Sequence, residues 1–261
     1  MPRRPAGSSC PEGTDPQRRA TSTALLATAS AIAARRDRER FFARPRRALY
    51  LGTALLGVVA LLALLVPSEP FALDRAWSDA MQDIQTPLLK RVALVFDALG
   101  HGFGLALTLA AIGIVLSLAR RWFALLTFTV AEGVSNLVSL ILKALIGRAR
   151  PPDGVVHPLT SSFPSGHATY AGATCIALVL LFTAPGRHRR WSWLLATVGV
   201  AGMAWSRTYL QVHWLSDVVA GALLGVGVSL VVFATAQILR PPRAAATELR
   251  ALRAPDGAPA A

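Results

Sequence analysis

Charge is what this sequence has little of. Only 16% of its 261 residues are Asp, Glu, Lys or Arg, where a soluble domain normally carries about a quarter. Cysteine is scarce too. Cys10 sits in a polar tail and Cys175 in an apolar run, which excludes a disulfide framework. Lysine is nearly missing, with Lys90 and Lys143 against 25 arginines, a bias of composition that says little about function. There is no GxGxxG, no Walker-type loop and no zinc-type spacing. The five histidines (His101, His157, His167, His188, His213) form no HExxH pattern. A nucleotide fold and a metal centre therefore have no support in the sequence. No internal repeat is visible.

What is there is hydrophobic, at 53% of residues, and basic, with a formal net charge of +13. A basic chain can meet nucleic acid, anionic lipid or an anionic substrate. Here the charges stand mostly at the edges of apolar runs, which argues for a membrane and against nucleic acid. Six runs have about the 17 to 25 residues a membrane helix needs, over 48–66, 98–118, 122–146, 168–184, 191–210 and 216–239. Trp122, Trp191, Trp193, Trp205 and Trp214 fall at their proposed ends, where an indole favours the interface. The fold class expected is all-α, a polytopic six-helix membrane bundle.

Arginine and lysine in the loops orient such a bundle. With the N-terminus cytoplasmic, twenty basic residues fall on the cytoplasmic side and seven on the other, four of these in or beside the three segments described below. The expectation is a multi-pass protein of the cytoplasmic (inner) membrane, N-in and C-in, with those segments facing outward. Residues 1–47 read as a disordered basic cytoplasmic arm, 48–240 as the membrane domain and 241–261 as a disordered tail. Ala24 to Ala34 is apolar but too short to span. Residues 68–97 place Phe71, Leu73, Trp77, Met81 and Ile84 at helical spacing, which suggests an amphipathic helix on the outer interface. It reads as a connector first, and as a lid or lipid ramp second.

Three segments carry chemistry. In the third, Ser206 to Asp217, His213 and Asp217 are four apart and would share a helix face. The carboxylate can accept the imidazole Nδ1–H and leave Nε2 as an oriented nucleophile or base, while Arg207 offers a fork for phosphate oxygens. In the second, Pro164-Ser165-Gly166-His167 opens an apolar helix, whose free N–H groups and dipole favour an anion. In the first, Lys143 and Arg150 are seven apart, about two helical turns, with Pro151 and Pro152 ending the helix. Arg148 reads as a side chain reaching for the interface. Each segment alone is close to an ordinary helix end. Together they supply cations, a hydroxyl, a helix N-terminus and two histidines, the inventory of phosphoryl transfer.

In sequence these segments read KALIGRARP (Lys143 to Pro151), PSGH (Pro164 to His167) and SRTYLQVHWLSD (Ser206 to Asp217). They resemble the type 2 phosphatidic acid phosphatase superfamily, which also includes the vanadium haloperoxidases, over about residues 48–240. No motif position departs from the pattern Lys-x6-Arg-Pro, Pro-Ser-Gly-His, Ser-Arg-x5-His-x3-Asp. The resemblance implies phosphate held by Lys143, Arg150, Ser165, Gly166 and Arg207. It implies His213 as a nucleophile forming a phosphohistidine, Asp217 orienting it, His167 protonating the leaving group, and no metal or cofactor. The substrate it implies is a lipid phosphate or diphosphate: polyprenyl diphosphate, phosphatidic acid or phosphatidylglycerol phosphate. Two other readings stand beside hydrolysis, a lipid phosphotransferase and a catalytically silent membrane scaffold or transporter. Oligomeric state and headgroup preference are not legible. Glu132 and Asn136, inside the third run, read as a protonated acid or a helix–helix hydrogen bond rather than as site residues.

Overall fold

The computed structural model describes residues 40–152, 154, 160–187 and 189–240. The two expected tails beyond Arg40 and Arg240, with Cys10, His157 and His188, lie outside the described residues. Among the described residues there are eight helices and no strand: α1 (Pro45–Leu65), α2 (Ala72–Asp83), α3 (Pro87–Gly100), α4 (Gly102–Leu118), α5 (Trp122–Ile146), α6 (Gly166–Phe182), α7 (Arg189–Tyr209) and α8 (Leu215–Leu239).

Three of these, α1, α5 and α8, are each long and apolar enough to cross a membrane. The pair α3 and α4, bent by 56° at His101, makes up to a fourth. The bend has a local cause. His101 is extended and Gly102 has φ +52°, a value at which a side chain is strained, so the helix restarts in a new direction. Helix α6 is apolar but only 17 residues long, and α7 carries arginines at both ends. The outer surface is inverted relative to a soluble protein. Leu64, Phe103 and Leu118 are each at least 80% exposed, which suits a lipid solvent rather than water.

Helix α8 is the axis, packed by α1 on one side and α6 on the other, with α5 also against it. Its approach to α6 is a backbone contact. A Cβ on Gly225 would lie 2.0 Å from the Thr169 carbonyl oxygen, and one on Gly221 would lie 2.4 Å from that of Ser165. Small residues on a helix face let two backbones meet in a medium that offers no hydrophobic drive. The contact has a functional result, because it holds the start of α6 beside the start of α8. There the Ser165 N–H donates to the Asp217 carbonyl at 3.0 Å.

The expected connector over 68–97 is more than a connector. It forms α2 and α3, and α2 turns Asp74 and Ser78 inward together with Trp77 and Met81, against α7, α8 and the turn between them. Asp74 is 2% exposed, and Ser78 donates to Gln211 Oε1 at 2.6 Å. The spacing of its apolar residues was legible, but the partners of Asp74 and Ser78 lie 74 and 133 residues further along the chain.

Candidate active site

The third segment builds a turn, not a continuous helix. Helix α7 ends at Tyr209, Gln211 takes a positive φ of 57°, and α8 begins at Leu215. Gln211 holds that conformation by donating from Nε2 to the carbonyls of Thr208 (3.1 Å) and Ser78 (3.2 Å). His213 therefore precedes the helix, and the expected shared helix face is replaced by a capping turn. Asp217 is the third residue of α8, and its Oδ2 accepts the Trp214 N–H at 2.9 Å. His213 Nδ1 still stands 3.5 Å from that same oxygen.

Asp217 is fully buried, and two further groups hold it. Arg148 Nη1 donates to Oδ1 at 2.6 Å, and Ser162 Oγ makes a short hydrogen bond to Oδ2. Arg148 thus corrects its expected role. It does not reach for the interface: its side chain has no exposed surface, and Nη2 pairs with Asp74 at 2.7 Å. Asp74 in turn accepts from the Ser216 N–H and hydroxyl, both at 2.8 Å. A buried guanidinium with a carboxylate at each Nη is a fixed joint, because it ties Asp74 of α2 to Asp217 of α8.

The first segment also departs from expectation. Helix α5 ends at Ile146, with Gly147 in the left-handed conformation (φ +65°) donating back to the Lys143 carbonyl. Arg150 is consequently off the helix, and the loop rather than a shared face brings it to the site. Its Nη1 donates to the Val212 carbonyl at 2.7 Å and lies 3.1 Å from His213 Nε2. Its Nε donates to the Thr160 carbonyl at 3.0 Å, and Lys143 Nζ donates to the Ser161 carbonyl at 2.7 Å. The arginine can only donate, so Nε2 is the lone-pair nitrogen and the proton belongs on Nδ1, facing Asp217.

In the second segment Ser165 is the N-cap of α6. Gly166 lies beside the lysine, since a Cβ there would be 4.0 Å from Lys143 Cε. His167 has a setting that the motif does not reveal. Its Nε2 is 3.4 Å from Asp97 Oδ1, and Arg207 Nη1 makes a short ion pair with the same oxygen. Asp97 belongs to α3, one turn before the break, and Gly100 gives His167 the room it needs. A Cβ on Gly100 would be 2.5 Å from His167 Cδ2. Asp97, Asp74, Ser162 and Arg148 are therefore the groups that sequence reasoning missed. Only Asp97 and Asp74 left a signal, as carboxylates in a mostly apolar stretch.

The electrostatics are those of a site built for an anion. Burial lowers the Arg150 pKa, the charge of Arg207 lowers it further, and Asp217 opposes both. Burial also drives His213 down, to about 3, against the opposing pull of Asp217, so the imidazole is neutral at working pH. Arg207 Nε is buried without a partner. From Gly166 and His167 a cavity of about 580 Å³ runs between α4, α5 and α6, past Ser139 and Glu132 to Leu125. Glu132 accepts from Thr174 Oγ1 at 2.7 Å, which is the helix–helix hydrogen bond expected of it.

The PAP2 superfamily family model matches residues 124–240, which hold all three segments. Phosphatidylglycerophosphatase B of Bacillus subtilis is 32% identical over 157 residues, 58% of this chain and 77% of that protein. The chain belongs to the PAP2 superfamily. Undecaprenyl-diphosphatase of Sulfolobus acidocaldarius is 31% identical over 111 residues, 40% of this chain and 51% of that protein, so the chain spans about half of that relative. Among solved structures, the transmembrane PAP2-type phosphatidylglycerolphosphate phosphatase of Bacillus subtilis aligns with a TM-score of 0.66 at 28% identity. That alignment covers 74% of this chain and all of the other.

Proposed function

We propose that this membrane protein is a lipid phosphatase in which His213 takes the phosphoryl group. The single observation that carries the reading is His213 itself. Its Nδ1 faces a carboxylate fixed by Arg148, Ser162 and Trp214, and its Nε2 lone pair faces the cation Arg150. An incoming phosphate competes for Arg150 and draws it off Nε2. Lys143, Arg150 and Arg207 then hold the equatorial oxygens, together with the Ser165 hydroxyl and the Gly166 N–H. Nε2 attacks phosphorus in line, the bond to the leaving oxygen breaks, and His167 gives that oxygen its proton. Asp217 stabilises the charged ring as Nδ1 keeps its hydrogen. Water then attacks the phosphohistidine, giving its proton to His167 and releasing inorganic phosphate and neutral His213.

The substrate proposed is a phosphate or diphosphate monoester of a lipid. The names of the relatives point to phosphatidylglycerol phosphate and polyprenyl diphosphate, and the apolar cavity beginning at His167 suits a chain that stays in the bilayer. The topology proposed has six spans, with α6 and α7 joining the four that pass on length and apolarity, over a domain of 48–240. The site faces outward from the cytoplasmic membrane. Phosphate release from a panel of lipid phosphates by the purified protein tests the reading, with His213→Ala beside wild type. Release by wild type and a loss of at least about 10³-fold in the variant are expected. Full activity in His213→Ala would overturn the mechanism, and transfer to an alcohol without phosphate release would favour a phosphotransferase.

A further inference from the structure

The ends of the helices remote from the phosphate site carry a second cavity, of about 830 Å³, between α1, α6, α7, α8 and the 185–187 turn. Helix α7 measures the separation. Arg207 belongs to the catalytic cluster and Arg189 lines this cavity. Eighteen residues at 1.5 Å each place them about 27 Å apart along the axis, close to the roughly 30 Å of a hydrocarbon core. The catalytic cluster and the mouth of this second cavity therefore lie toward opposite leaflets.

The interior of the second cavity is apolar, lined by Leu51, Leu55, Trp193 and Leu230. Its mouth carries Arg44, Arg47, Arg187 and Arg190, all exposed. Between the two sits Arg189, 7% exposed, whose Nη1 donates to the Phe41 carbonyl at 2.5 Å and Nη2 to the Val179 carbonyl at 3.2 Å. Its guanidinium carbon lies 5.7 Å from the centre of the Trp193 ring, and its Nε is buried without a partner. Among the described residues, no carboxylate pairs with any of these five arginines; the ion pairs are made by Arg148, Arg207 and the two site histidines. Topology rules account for arginines exposed at a cytoplasmic rim. They do not account for a buried guanidinium lining a cavity with no counter-charge among the described residues, which is costly until an anion reaches it.

We infer that this cavity binds an anionic phospholipid, its phosphodiester among the arginines and an acyl chain along Leu51, Leu55 and Leu230. The ligand is a structural or regulatory lipid and not the substrate, for none of the described residues that line the cavity is a nucleophile or an acid. The inference stands apart from the assignment of His213. Bound there, the lipid bridges α1, α7 and the α6–α7 turn.

Native mass spectrometry of the full chain, released from vesicles of equal phosphatidylglycerol and phosphatidylcholine, provides the test. Wild type is expected to retain phosphatidylglycerol at least about tenfold over phosphatidylcholine, given several arginines near one headgroup. The triple variant Arg47→Gln, Arg187→Gln, Arg190→Gln should lose most of that preference. Leu51→Trp, which fills the apolar part and leaves the charges, should lose the bound lipid altogether. Both variants are distant from the phosphate site and should hydrolyse a soluble phosphomonoester like wild type, which reports their fold. Saturating inorganic phosphate should leave the bound lipid in place. Equal retention of the two lipids by wild type, an unchanged preference in the triple variant, or displacement by inorganic phosphate would each overturn the inference.

Discussion

At the scale of single residues, Asp97 shows how a motif can be complete in sequence and incomplete in space. Three motif segments name His167 and Arg207, yet the oxygen that faces both belongs to a helix upstream of every motif. Asp97 is a positioning residue. It pairs with the Arg207 fork and stands opposite the ring proposed to supply the proton. Asp97→Asn keeps the shape and removes the charge. We expect kcat on a lipid phosphate to fall about 10- to 10²-fold, the range of a misplaced acid, while KM changes by less than about threefold because Lys143 and Arg150 still meet the phosphate. Asp97→Glu should recover a large part of kcat. Equal losses in both variants, or a rise in KM alone, would mean that Asp97 serves only to hold the helix.

At the scale of elements, the legible and illegible parts divide by range. The apolar runs over 48–66, 122–146 and 216–239 match α1, α5 and α8 within three residues, because a membrane helix satisfies its own backbone and leaves a continuous signal. The helix ends around the site were misread, and for one physical reason. Gly147 and Gln211 adopt left-handed conformations that stop α5 and follow α7, so spacings of seven and four did not mean a shared face. Arg148 was misread because its two partners come from α2 and α8. Helix α2 acts as a strut: Asp74 completes the joint through which Arg148 holds Asp217. Asp74→Ala would leave Arg148 paired with Asp217 alone and its Nη2 without that acceptor, at a cost of about 1–3 kcal/mol. The expected result is a melting temperature lowered by several degrees in detergent and a reduced kcat. Asp79→Ala removes the same charge from the exposed face of the same helix and should do neither. Indistinguishable behaviour of the two variants would remove the strut from the account.

At the scale of the whole molecule, the two ends of the bundle differ in how their cations are used. At one end Arg148 and Arg207 are paired with carboxylates, while Lys143 and Arg150 hold backbone carbonyls around the proposed phosphate site. At the other, Arg44, Arg47, Arg187 and Arg190 stand exposed. Loop arginines that serve no site are the ones that set orientation during insertion, so the second end should be cytoplasmic and the phosphate site outside. Single cysteines in a background lacking Cys10 and Cys175 can read this directly. Glu69→Cys, exposed between α1 and α2, and Gly186→Cys, exposed between α6 and α7, fall at opposite ends of the bundle. A membrane-impermeant maleimide applied to intact spheroplasts should label the first and reach the second only after the membrane is broken. The reverse pattern would invert the topology. It would also move the arginine-lined cavity to the outer leaflet, where anionic lipid is a less dependable partner, and place hydrolysis on lipid phosphates made inside the cell.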